Sequence, residues 1–112
     1  MWDDRMTRLI MFAEDTPKLG RDYFTTIRNY KPVSIGETVE ICTPKRHFLG
    51  KVTYLELNYI GNISTPVLLK DTLTKSREEA LKLLEDYLGA PLGDDREVLI
   101  IGIEREVEEV MK

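Results

Sequence analysis

Tyr23-Phe24-Thr25-Thr26-Ile27-Arg28-Asn29-Tyr30, followed by Val33-Ser34-Ile35-Gly36-Glu37-Thr38-Val39, is the stretch on which the fold turns. Its first half has the β-branched and aromatic content of a strand. Lys31-Pro32 stops that strand, because proline cannot donate to a sheet ladder. Ser34 to Glu37 reads as a turn around Gly36, and Thr38-Val39-Glu40-Ile41-Cys42 alternates polar and apolar as a half-buried strand does. The same stretch carries chemistry. An arginine set in a β-branched strand is costly to bury unless it meets an anion or a carboxylate.

Outward from this centre, Arg8-Leu9-Ile10-Met11-Phe12 reads as a buried strand ended by the Glu14-Asp15-Thr16-Pro17 cluster. Lys18 to Asp22 is a loop or a single helical turn. A long strand is expected from Phe48 to Tyr59, with Gly50 marking a bulge. Pro66-Val67-Leu68-Leu69 fits a short helical turn begun by Thr65. The strongest helix signal runs from Arg77 to Leu88: Ser76 and Glu79 have capping-box spacing, and Ala80, Leu84, Tyr87 and Leu88 share a face. Gly89 supplies its stop. Val98-Leu99-Ile100-Ile101-Gly102-Ile103 is apolar throughout, as in a strand buried on both faces. Beyond it, Ile103, Val107, Val110 and Met111 have helical spacing, while Val107 fits a strand extension equally well. Five or six mixed strands and one main helix (76–88) predict an α+β fold, a small barrel sealed by that helix, in one domain spanning 1–112.

The 112 residues are 42% apolar and 32% charged, a globular balance. No apolar run approaches the roughly 20 residues of a membrane helix, and Met1-Trp2-Asp3-Asp4-Arg5 lacks the order of a signal peptide. A single cysteine, Cys42, excludes an internal disulfide and a multi-cysteine metal site. A cytoplasmic setting is the expectation, with no cofactor and no metal. The net charge of −4 argues against non-specific coating of nucleic acid. The charge is unevenly spread, however. Between Lys18 and Lys51 lie Lys18, Arg21, Arg28, Lys31, Lys45, Arg46, His47 and Lys51, against only Asp22, Glu37 and Glu40. Acids dominate from Glu78 onward. Local charge, not the total, decides what a cleft attracts.

Cys42 and His47 are the one thiol–imidazole pair, but a strand cysteine most often packs as a small apolar residue. A lone histidine offers no metal-ligand set. Lys45-Arg46-His47 reads either as a charged hairpin tip or as a rim that faces an anion. Arg28 reads either as the partner of Glu56 or Glu40, or as the holder of a polar ligand. Thr26 and Tyr30 lie two positions away on the same strand face, which favours the second.

In order and spacing these segments resemble the ASCH domain, a branch of the PUA-like superfamily. The resemblance runs from Arg8 to Arg105. It rests on Gly20-Arg21, Thr25-Thr26-Ile27-Arg28, Pro32 to Ile41, Phe48 to Val52, Ser76 to Ala80 with Tyr87-Leu88-Gly89, and Val98 to Glu104. It implies a PUA-like barrel whose cleft is lined by the basic loop and the T-x-R strand. The family is thought to bind RNA, and some members hydrolyse acetylated cytidine nucleosides with a lysine, a threonine and a glutamate. Thr26 matches the threonine. The lysine position falls on Tyr23, with Arg21 displaced by two, and the acid position meets Leu73, with Asp71 the nearest carboxylate. Arginine almost never gives up its proton and cannot replace a catalytic lysine. The expectation is therefore a non-catalytic domain that binds RNA or a nucleotide-like ligand. Arg28, Lys45 and Arg46 would hold phosphate, Thr26 a base or sugar edge, and Arg21 and Lys31 would flank the site. The alternatives are an amidohydrolase of an acetylated cytidine nucleoside, with Thr26 as nucleophile and Asp71 as acid, and a protein-interaction module using the acidic tail.

Overall fold

A computed structural model describes residues 8–12, 16–29, 33–89 and 93–106. Five strands, β1 (Arg8–Met11), β2 (Tyr23–Arg28), β3 (Thr38–Cys42), β4 (His47–Tyr59) and β5 (Glu97–Arg105), form one sheet in the order β1-β3-β4-β5-β2. β1 runs parallel to β3, and every other pairing is antiparallel. Two helices, α1 (Thr65–Thr72) and α2 (Arg77–Leu88), lie between β4 and β5 in the chain.

β5 lies inside the sheet, between β4 and β2, because its residues need no water on either side. Leu99, Ile101 and Ile103 join Phe24, Val39, Ile41, Phe48 and Val52 on one face. Val98 and Ile100 meet Ile27, Leu68, Ala80 and Leu84 on the other, under the helices. At about 25 cal/mol per Å² of buried apolar surface, such a doubly covered strand anchors the molecule. A Cβ at Gly50 would collide with the Ile103 side chain, so the glycine lets β4 approach β5. The bulge expected at Gly50 lies elsewhere, between Val52 and Tyr54.

The sheet does not close into a barrel. β1 and β2 are its two edges and do not pair with each other, although Phe12, just past β1, packs edge-to-face on Phe24 of β2 with centroids 6.3 Å apart. The apolar rings bridge a gap that no backbone hydrogen bond spans among the described residues. Nor is there one helix only. The expected turn at 66–69 is an eight-residue helix begun by Ser64 and Pro66 and ended by Leu73 in a left-handed conformation, φ 60°. α2 has the predicted bounds, and the Ser76 side chain accepts from Glu79 N. The reciprocal bond of a capping box is displaced by one residue: Glu79 accepts from Lys75 N. Glu14 and Asp15 of the expected turn cluster, the stop at Lys31-Pro32 and the ending after Glu106 lie outside the described residues, while Thr16 and Pro17 begin a 3₁₀ turn. Among the described residues no helix is long and apolar enough to cross a membrane.

Candidate functional site

The open edge of β2 holds a pocket. Its walls come from Phe12 beyond β1, Thr16 and Lys18 of the turn before β2, Thr26 and Ile27 of β2, Asp71 and Thr72 of α1, and Leu84 and Tyr87 of α2. The cavity measures about 390 Å³, within the range of small-molecule sites.

Lys18 reaches this pocket on a 3₁₀ turn, Pro17–Gly20. Thr16 starts the turn by accepting from Lys18 N, and Pro17 opens it. Buried Leu19 fixes the turn against the core, and the Arg105 guanidinium bonds the Leu19 carbonyl. The Lys18 amine donates to Asp71 O at 2.7 Å and to Asp71 Oδ1 at 3.3 Å. The two side chains are only 8% and 4% exposed. Thr25 Oγ1 donates to the same carboxylate oxygen at 2.7 Å.

Burial pushes the Lys18 amine below its ordinary value of 10.5, with the Asp71 charge opposing and Arg28 and Arg21 assisting. Burial pushes the Asp71 carboxyl up, opposed by Lys18 and the Thr25 hydroxyl. Both shifts move toward the uncharged pair, as desolvation requires of ions taken out of water.

Thr26 lines the same pocket and is 1% exposed. Its Oγ1 accepts from Arg28 Nε at 2.9 Å. The central carbon of the Arg28 guanidinium lies over the Phe12 ring at 4.7 Å and over the Tyr87 ring at 5.0 Å, both cation–π distances. Its Nη2 is buried without a hydrogen-bond partner among the described residues. Neither expected carboxylate reaches it. Glu56 bonds the Tyr54 hydroxyl and Asn58, and Glu40 bonds His47 at 3.1 Å.

Of the residues singled out in the sequence, Thr26, Arg28 and Asp71 come together. Arg46 approaches the turn that carries Lys18: its guanidinium sits 3.7 Å from where a Gly20 Cβ would be, and Arg21 follows Gly20. Arg21 and Lys45 are exposed. Lys31 lies outside the described residues. Cys42 and His47 are cross-strand partners, and the imidazole turns to Glu40.

The residue that sequence reasoning passed over is Lys18. Eight positions before Thr26, it reaches the pocket that position 23 cannot. Tyr23 lies on the outer face, stacked over Gly102, where a Cβ would collide with its hydroxyl. Thr16-Pro17 signals the turn that carries Lys18, but only the fold shows which way its side chain points.

No family model matches the chain, and no curated protein or solved structure is similar to it.

Proposed function

We propose that this protein is an amidohydrolase on a PUA-like scaffold, cleaving the acetyl amide of a modified cytidine nucleoside. What carries the reading is one observation: a buried lysine–aspartate pair and a threonine hydroxyl open onto the same nucleoside-sized cavity. The Lys18 amine, displaced toward its neutral form, serves as general base. Thr26 Oγ1 is the nucleophile. Its proton passes to Lys18 Nζ, the bond from Oγ1 to the carbonyl carbon forms, and the carbonyl π pair moves to oxygen. Collapse breaks the carbon–nitrogen bond, and the departing amine of the cytosine ring takes the proton back from Lys18. Water then hydrolyses the acetyl ester on Thr26. Asp71 holds the amine in place through two contacts, and Thr25 holds Asp71.

Incubation with cytidine acetylated on its exocyclic amine, followed by chromatography, tests the reading. Cytidine and acetate are the expected products, and Thr26→Ala and Lys18→Met each abolish their formation. Absence of turnover by the wild-type protein, or full turnover by Thr26→Ala, would overturn it.

A second reading, RNA or nucleotide binding without catalysis, draws on the approach of Arg46 to Gly20. This brings one residue of the 45–47 tip close to the turn that precedes Arg21. Phosphates held there would weaken with salt, because each contact releases condensed counterions. Filter binding at low and moderate salt separates the two: retention of RNA that Arg46→Ala with Arg21→Ala abolishes favours binding.

A further inference from the structure

Three strands bring together side chains that the sequence keeps apart. Met11 is opposite Cys42 where β1 runs beside β3, and Cys42 is opposite His47 where β3 pairs with β4. Alternation along each strand sends all three side chains to one face, because their neighbours Ile10, Ile41 and Phe48 are buried on the other. A thioether, a thiol and an imidazole therefore stand in one row. Directly opposed residues have Cβ atoms about 4.5–5.5 Å apart. The register is fixed beside the row, where Thr43 N donates to Arg46 O at 2.9 Å and closes the hairpin between β3 and β4.

In sequence His47 has no ligand spacing; the register supplies it with two sulfurs. The kind of ion follows from the donors. Zinc takes its ligands from cysteine, histidine and carboxylates, and among the described residues no three such side chains are grouped to hold a metal. The third donor in this row is the Met11 sulfur, and thioether with thiolate selects copper(I). The imidazole is already oriented. His47 Nε2 lies 3.1 Å from Glu40 Oε2, so the carboxylate accepts from that nitrogen and leaves Nδ1 for an ion. Metal-bound histidines commonly give their other N–H to a carboxylate in this way. Met11 is 60% exposed and the His47 side chain equally so, which lets both change rotamer at little cost. Cys42 is a free thiol.

We propose that Met11, Cys42 and His47 form a three-coordinate site for copper(I) on the outward face of β1, β3 and β4, with Glu40 orienting His47. The ion replaces the thiol proton, which leaves to solvent, so the charge of the face is unchanged and no electron moves. None of these side chains lines the pocket, and the site does not depend on what the pocket does.

Anaerobic titration of the full chain with Cu(I), in competition with the chromogenic chelator bathocuproine disulfonate, tests the site. Wild type withdraws one copper per chain, and X-ray absorption at the copper edge finds two sulfurs and one nitrogen. Cys42→Ser withdraws none. Met11→Leu and His47→Gln each bind at least tenfold more weakly, and Glu40→Gln weakens binding about 10-fold through His47. The ion binds the folded sheet and ties its edge strand to two others, so it raises the thermal midpoint of wild type but not of Cys42→Ser. The four side chains face outward, and urea unfolding without metal checks that each variant still folds. Undiminished binding in Met11→Leu or in His47→Gln would leave a bare thiol and overturn the site. So would one copper shared by two chains, zinc(II) displacing copper at equal concentration, or no withdrawal of copper by wild type.

Discussion

A lysine buried against an aspartate is a choice between two states: an ion pair that pays for desolvation, or a neutral pair that shares a proton. Lys18 and Asp71 are pushed toward the second by burial, and each is held back by the other's charge. The sign of one substitution follows. Asp71→Asn keeps an oxygen to accept from Thr25 and removes the charge that favours protonated Lys18. The amine then falls further below 10.5, and the rising limb of the rate–pH profile moves to lower pH. Arg28→Met moves the same limb the other way. A limb that stays in place in Asp71→Asn would mean that Lys18 is not the titrating base. Little of this pair was legible in the chain. Asp71 stood out only as the nearest carboxylate to an expected position, and Lys18 counted only as one basic residue among eight. Burial of a charge leaves no local signature, because it is decided by residues 53 positions apart.

Elements were far easier to read than contacts between them. β3, β4, α2 and β5 follow from alternation, capping and apolar runs, which are properties of neighbours in sequence. α1 was read too short. Only Leu68 and Asp71 of its eight residues are buried, so it has almost no apolar stripe, and it ends on a left-handed leucine where glycine or asparagine is the usual signal. α2 ends by the rule, with Gly89 at φ 76° and nothing within 4 Å of a Cβ placed there. These facts separate two glycine substitutions in urea unfolding. Gly89→Ala costs about 1 kcal/mol through backbone strain alone. Gly50→Ala costs more, about 2–3 kcal/mol, because the added carbon drives Ile103 out of a packed core. Equal losses at the two positions would show that β4 and β5 are not held as closely as the sheet register requires.

At the scale of the molecule, the unclosed sheet and the pocket are one feature. A barrel closed by hydrogen bonds between β1 and β2 would fill the place where Lys18, Thr26 and Tyr87 now meet. The edges are bridged by side chains instead, and Phe12 is the hub. It packs on Phe24, lies under Arg28 at 4.7 Å, stands 5.7 Å from the Lys18 amine and lines the cavity. Stability and chemistry therefore meet at one ring and can be separated there. Phe12→Ala would remove about 3–5 kcal/mol from a domain whose whole stability is on the order of 5–15 kcal/mol, leaving little folded protein to assay. Phe12→Leu is the informative change. It keeps most of the apolar volume, at a cost of about 1–2 kcal/mol, but offers no π face to either cation. The thermal midpoint then falls by a few degrees, while turnover of acetylated cytidine falls at least tenfold because Arg28 and Thr26 lose their fixed orientation. Phe12→Leu with wild-type kcat would show that the ring fills space and nothing more, and that the gap between the sheet edges is sealed independently of the chemistry beside it.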